Sequence, residues 1–195
     1  MHHTKFTKRI LLIALTFLLN VAQADENWPQ FRGAEARGIA TDGNGLPVTW
    51  STTENIEWKT DIPGRGWSSP VVWGDNVFLT TTVSLEELET PAPEKGLYNG
   101  RQQAKLESVF QWHVYCLDLE TGVIKWNKKV HEGVPERATH IKNSFASETP
   151  VTDGEHVYAY FGNLGLYTLD FDGNLVWSKK IDSHKTRNGW GTAAS

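Results

Sequence analysis

The chain has very little sulfur, with one cysteine and one methionine among 195 residues. A single cysteine cannot form an intrachain bridge, so a disulfide-stapled scaffold is excluded. The chain also lacks an excess of basic residues, because 19 lysines and arginines stand against 23 acidic residues. That balance is unlike the basic signature of nucleic-acid-binding proteins. Glycine-rich nucleotide-binding loops, a phosphate-binding Walker loop and a His-x-x-x-His helix are missing as well.

Tryptophan, in contrast, is abundant, with 9 residues. Many tryptophans with so little methionine favour stacked aromatic β-structure over a helical core. The single cysteine, Cys116, lies between Tyr115 and Leu117 in an apolar stretch. This position predicts a buried and inert thiol rather than a reactive one.

An apolar run occupies residues 10–19 near the start of the chain. Three basic residues precede it, Lys5, Lys8 and Arg9, and a small-x-small sequence ending at Ala24 follows it. This pattern predicts a cleavable signal peptide over residues 1–24, cut after Ala24, and therefore a periplasmic or secreted protein. The run is short for a bilayer, so we expect no membrane span after cleavage. An uncleaved membrane anchor is the alternative.

A short sequence pattern occurs twice, at residues 115–126 and 167–177. In each copy an apolar strand ends in aspartate, a glycine-containing turn follows, and a second strand leads to tryptophan. A self-similar β unit at this spacing predicts a repeat architecture such as a β-propeller. The structural positions of the repeat are Asp118, Thr121, Gly122 and Trp126 in the first copy and Asp170, Gly173 and Trp177 in the second.

Each repeat position has a physical role of its own. Asp118 at a strand end can accept backbone N–H groups of the following residues, and Thr121 can add a second local bond. Gly122 supplies the positive φ that turns the chain. Trp126 is placed to wedge between neighbouring units, where a large ring covers much apolar surface. The alternative for Trp126 and Trp177 is a stacking platform for a cofactor.

The repeat units divide the chain. Residues 25–62 are predicted to be an N-terminal loop region with a strand at 55–62, which would close a ring with a strand from the far C-terminus. Residues 63–195 hold about two blades and the start of a third, so the chain looks like an N-terminal fragment. The first blade carries a charged insertion at residues 84–108, where the second has only a hairpin turn. Loops of that length are usually functional or disordered.

The sequence of residues 117–126 closely resembles the repeat signature of the pyrroloquinoline-quinone-like (PQQ-like) β-propellers, apolar-Asp-x-x-Thr-Gly-x-x-x-Trp. The second copy departs from it, because Asp172 replaces the threonine and one residue is missing before Trp177. Residues 64–75 also look like exported propeller proteins of this group. The resemblance covers about residues 28–195 and implies an all-β partial propeller of four-stranded antiparallel blades.

The resemblance implies two functions. One is a non-catalytic exported module for binding or scaffolding, whose partner is another protein or a small anionic ligand. The other is a periplasmic PQQ-dependent quinoprotein dehydrogenase that oxidises an alcohol or sugar, with PQQ and Ca²⁺ as cofactors. Alcohol dehydrogenases of the family typically carry adjacent cysteines, which Cys116 alone cannot supply. The metal ligands and catalytic groups of such an enzyme could lie in a part of the protein outside this sequence, so the missing pair weighs little against it. Many PQQ-like repeat proteins have the blades without the quinone site, so we favour the non-catalytic function and assign no catalytic residue, no metal ligand and no cofactor.

Cationic, amide and aromatic side chains lie just before the strands that would be innermost in a propeller. They are Arg65, Trp67, Lys142, Asn143, Arg187 and Trp190. In a propeller these segments would meet near one mouth of the central channel and could form a cationic funnel for an anionic ligand or an acidic loop. The alternative, which the sequence favours, is a solvated rim of ordinary loop charges.

Overall fold

The structure is a computed structural model of the chain. It describes residues 27–40, 43, 45–86, 107–137, 139, 140, 143–162, 164–182 and 192. The regular elements in these ranges are one short 3₁₀-helix, Ala34–Ala36, and eight β-strands. No helix in the described part of the chain is long and apolar enough to cross a membrane.

The strands form two antiparallel sheets of four, each in simple sequential order. The first sheet contains β1 (Val71–Trp73), β2 (Asn76–Ser84), β3 (Phe110–Asp118) and β4 (Ile124–Gly133). The second contains β5 (Val151–Thr152), β6 (His156–Phe161), β7 (Gly165–Asp170) and β8 (Leu175–Lys180). The prediction of an all-β fold with four-stranded antiparallel units is confirmed.

The turn between β3 and β4 is held by side chains of the repeat signature. Asp118 Oδ1 accepts the backbone N–H of Thr121 over 3.0 Å and its hydroxyl over 2.8 Å. These hydrogen bonds lower the pKa of Asp118. Gly122 has a φ of 70°, and Gly173 in the turn after Asp170 has a φ of 81°. Asp170 Oδ1 likewise accepts Asn174 N–H over 2.8 Å, so each turn has a carboxylate acceptor at the strand end and a left-handed glycine.

One apolar core lies between the two sheets. Its buried members from the first sheet include Phe78, Trp112 and Cys116, and Val157 and Leu169 come from the second. Cys116 is fully buried, and burial raises the pKa of its thiol to about 11. The prediction of a buried thiol is therefore confirmed, and its low reactivity stays a prediction.

Trp126 crosses from the first sheet to the second. Its indole Nε1–H donates to the carbonyl oxygen of Phe171 over 2.7 Å. The ring lies against Gly173, where a Cβ atom would be 2.8 Å from Trp126 Cδ2. Trp126 thus packs on the β7–β8 turn of the neighbouring sheet, as predicted for an inter-unit wedge.

Trp58 makes the equivalent contact with the β3–β4 turn of the first sheet. Its indole N–H donates to the carbonyl of Leu119 over 2.9 Å, and its ring covers Gly122 in the β3–β4 turn. The sequence predicts a strand over residues 55–62, but within the described residues the structure pairs this segment with no sheet. Its side chains are held by the turn instead of by a backbone ladder, and the ring-closing role stays a prediction.

Trp177 occupies the corresponding position on β8. It is 43% exposed, and its ring centroid lies 6.4 Å from that of Tyr158. It lies opposite Thr168 on β7, as Trp126 lies opposite Cys116 on β3. No turn of a further sheet covers it within the described ranges, so its predicted wedge role stays a prediction.

Candidate functional site

The two ends of the sheets differ in what they carry. At one end Ser84, Phe110 and Gly133 are neighbours across the first sheet, so the β2–β3 and β4–β5 connections leave from the same side. Phe110 contacts Phe145 of the β4–β5 connection, with ring centroids 5.0 Å apart. We call this end the loop face. The opposite end, the turn face, carries the turns on which Trp58 and Trp126 pack.

The two units differ most on the loop face. Residues 85–109 connect β2 to β3, whereas residues 162–164 connect β6 to β7. The ends of the long connection are tied together, because Leu85 N–H donates to the carbonyl of Val109 over 2.9 Å and the buried Ser108 hydroxyl donates to Glu86 over 2.9 Å. The middle of the predicted insertion, residues 87–106, lies outside the described residues.

The segments that lead into the first strand of each sheet lie side by side. Trp67 N–H donates to the carbonyl of Ala146 over 3.1 Å. Ser69 N–H donates to the hydroxyl of Thr149 over 3.1 Å. We call residues 64–70, residues 143–150 and Thr192 the lead-in cluster.

Three of the six funnel candidates lie in the described residues. Arg65 pairs with Thr82 through two backbone hydrogen bonds of 2.8 and 2.9 Å, and the Trp67 side chain is 64% exposed. The Asn143 amide is used inside the cluster, because its oxygen accepts Ser144 N–H and its NH₂ group donates to the carbonyl of Thr192. Lys142, Arg187 and Trp190 lie outside the described residues. The funnel therefore stays a prediction.

A buried carboxylate at Glu148 is the main feature that sequence reasoning missed. Glu148 is only 3% exposed, and its Oε1 accepts Gly162 N–H over 3.2 Å and the hydroxyl of Thr192. Burial raises the pKa of this carboxyl above its ordinary value of 4.5, although the hydrogen bonds oppose that shift. Glu148 therefore joins the second sheet to the one described residue of the third lead-in segment.

The position of Glu148 shows which acceptor its side chain replaces. In the first sheet Thr82 N–H donates to the backbone carbonyl of Arg65. The corresponding donor in the second sheet is Gly162 N–H, and it bonds to the Glu148 side chain instead. The available sequence signal was an acidic residue two positions before the proline of the second unit, where the first unit has Ser68.

The described residues show no cluster of acidic, histidine or cysteine side chains for the Ca²⁺ that accompanies PQQ. A site for PQQ and Ca²⁺ needs several oxygen ligands for the cation and free cationic groups for the quinone carboxylates. Within the described ranges no group of three or more His, Cys, Asp or Glu residues could hold a metal ion. The one buried carboxylate of the lead-in cluster, Glu148, already accepts protein hydrogen bonds.

Two four-stranded antiparallel sheets, packed through a tryptophan of one on a turn of the other, define a repeat protein of the β-propeller type. The chain matches the PQQ-repeat family described as outer membrane protein assembly factor BamB over residues 33–194, and it belongs to this family. The resemblance to PQQ-like propellers is confirmed, and the two sheets are two blades. No curated protein matches the chain.

Proposed function

We propose that this chain is a non-catalytic binding module whose loop face holds another protein. The observation that carries this proposal is the difference between the two blades. They share their turns and tryptophan positions on the turn face, but the first blade has residues 85–109 where the second has residues 162–164. Function in repeat folds commonly lies on loops positioned by a rigid scaffold. The name of the family, an assembly factor, agrees with a protein-binding role.

The insertion has the composition of a protein-binding loop. Between residues 85 and 109 five glutamates stand against three lysines and arginines. Mixed charge with an acidic excess suits a polar protein surface and disfavours nucleic acid. Because Leu85 and Val109 are hydrogen-bonded at its base, the segment leaves from a fixed point on the blade.

A protein partner fits the lead-in cluster better than a small anionic ligand does. Glu148 places a carboxyl group inside the cluster, and a carboxylate there would repel a bound anion. The Asn143 amide, a candidate ligand group, already bonds to Ser144 and Thr192. Neither observation favours the quinoprotein dehydrogenase, so we propose one function.

Site-directed photocrosslinking in the producing cell tests the proposal. A photoreactive residue at Leu85, which is 53% exposed on the loop face, should form a discrete protein adduct. The matched control is the same residue at Glu120, which is exposed on the turn face. An adduct from Leu85 alone supports the proposal. Equal adducts from both positions, or none from Leu85, would contradict it.

A loop-exchange variant gives a second test. In this variant, the short turn of residues 162–164 replaces residues 85–109. The variant should no longer bind the protein that crosslinks to Leu85 in the wild type, and the far-ultraviolet circular dichroism of the two blades should be unchanged. An unchanged affinity for this protein would show that the insertion is not the binding segment.

A cofactor test addresses the alternative function. Incubation with PQQ and Ca²⁺ should give neither quinone uptake nor dye reduction. Quinone uptake together with dye reduction would contradict the proposed binding function and indicate a dehydrogenase.

Export is part of the proposal. The signal-peptide pattern of residues 1–24 lies outside the described residues and supports a periplasmic or secreted location. N-terminal sequencing of the protein from the producing cell should begin at Asp25. A chain that retains residues 1–24 would contradict export by this route.

A further inference from the structure

Residues 27–29 lie along the free edge of the first blade. Trp28 and Val72 exchange two backbone hydrogen bonds, both of 2.8 Å, in an antiparallel bridge. Asn27 adds a side-chain bond, because its Oδ1 accepts Gly74 N–H over 2.8 Å. The edge of β1 that does not pair with β2 is therefore occupied by another part of the same chain.

The same segment reaches the second blade. Thr152 N–H, on the free edge of β5, donates to the carbonyl of Pro29 over 2.9 Å. Among pairs of strands from different blades, β1 and β5 lie in direct contact. Three consecutive residues thus make four hydrogen bonds that span both blades where their first strands converge.

We propose that the joined free edges of β1 and β5 are a strand-addition site for an extended Asn-Trp-Pro segment. In this chain residues 27–29 fill the site and act as a strap that fixes the two blades together. Exposed strand edges are templates for pairing with other chains, and backbone pairing gives strand addition its affinity. The strap therefore also protects this edge from other chains.

The residue types of the strap suit this role. Asn27 provides a side-chain acceptor for an amide that lies beyond the end of the bridge. Pro29 lacks an N–H group, and only its carbonyl is used. The Trp28 ring lies against Gly33, whose φ of 72° suits glycine and whose missing side chain leaves room for the ring.

Amide hydrogen exchange of the full chain, measured by NMR, tests the strap. In the Trp28→Pro variant, residue 28 cannot donate to Val72. Exchange of the Val72 and Thr152 amides should become at least tenfold faster, while amides in the centre of β3 keep their protection. The matched control is Trp50→Pro, at a tryptophan that is 68% exposed. Exchange at Val72 and Thr152 equal to that of the control variant would overturn the proposal.

A milder variant keeps the proposal testable if Trp28→Pro does not fold. Asn27→Ala removes one acceptor, so exchange at Gly74 should rise while Val72 stays protected. An unchanged Gly74 amide would show that the strap is not docked as described.

Addition in trans tests whether the edge is a site in its own right. A synthetic peptide of residues 25–33, added to the Trp28→Pro variant, should restore the protection of Val72 and Thr152 in a saturable way. A peptide with alanine at the position of Trp28 is the control. No restoration at millimolar peptide would overturn the strand-addition site. These hydrogen-exchange readouts do not involve the loop face. The strand-addition site can therefore be refuted while the proposed protein-binding function stands, and the binding function can be refuted while the strand-addition site stands.

Discussion

Removal of the Trp126 ring should weaken the packing between the two blades. Replacing a fully buried tryptophan by alanine typically lowers the unfolding free energy by about 3–5 kcal/mol. Trp126 is only partly buried, so we expect the lower end, about 3 kcal/mol of unfolding free energy, for Trp126→Ala. About 1 kcal/mol of this comes from the hydrogen bond to the carbonyl of Phe171. Trp126→Phe, which keeps an aromatic ring but loses the N–H donor, should therefore cost about 1–2 kcal/mol.

Urea unfolding followed by far-ultraviolet circular dichroism measures both variants. The control is Trp50→Ala, because Trp50 is 68% exposed and an exposed substitution should change the free energy by less than about 0.5 kcal/mol. If Trp126→Ala is as mild as Trp50→Ala, the ring does not pack between the blades and the reasoning fails.

A double-mutant cycle distinguishes a direct contact between Trp126 and Gly173 from two independent destabilising effects. Gly173→Ala should destabilise the chain for two reasons, because its φ is 81° and its Cβ would lie 2.8 Å from the Trp126 ring. In the Trp126→Ala background the steric part disappears and only the backbone strain stays. The two substitutions should therefore be non-additive by about 1 kcal/mol or more. Strict additivity would mean that the ring and the turn are not in contact.

Three further predictions concern buried polar and sulfur groups. Because the folded pKa of Glu148 is raised above 4.5, the stability of the wild type relative to Glu148→Gln should be highest below that pH and fall as the pH rises through the folded pKa. A pH-independent difference in urea unfolding would contradict this. Among the described residues the buried hydroxyl of Thr80 finds no hydrogen-bond partner, so Thr80→Val should raise the unfolding free energy by about 1 kcal/mol. Thr81→Val deletes a 3.0 Å hydrogen bond to the carbonyl of Pro63, so this substitution should lower the unfolding free energy by about 1 kcal/mol. Equal effects of the two valine substitutions would contradict the difference in hydrogen bonding between the two threonines. Since burial raises the pKa of Cys116 to about 11, a thiol reagent at pH 8 should label the unfolded chain but not the native one. Rapid native labelling would contradict the burial.

Features fixed by neighbouring residues could be predicted from the sequence. The turn at Asp118 depends on Thr121 and Gly122, which are three and four residues away, and such a turn repeats wherever the pattern repeats. The repetition of Trp126 in the sequence also indicated an inter-unit role, although its acceptor could not be named.

Features that depend on distant parts of the chain could not be predicted. Glu148 is held by Gly162 and Thr192, which are 14 and 44 residues away, and its place two residues before a proline does not by itself predict that it is buried. The strap at residues 27–29 is defined by partners on β1 and β5, which local patterns do not reveal. The strand predicted over residues 55–62 belongs to no sheet among the described residues, and its predicted partner is a strand from the far C-terminus, so this strand stays a prediction.

The indole proton of Trp126 reports directly on whether one blade packs on the turn of the next. In NMR spectra of the full chain, with Trp126 assigned by substitution to phenylalanine, this proton should exchange slowly. It should also show nuclear Overhauser contacts to Phe171 and Gly173, because the indole nitrogen lies 2.7 Å from the Phe171 carbonyl oxygen. An indole proton that exchanges at the rate of an exposed tryptophan, with no contact to either residue, would show that the two sheets are not packed as neighbouring blades.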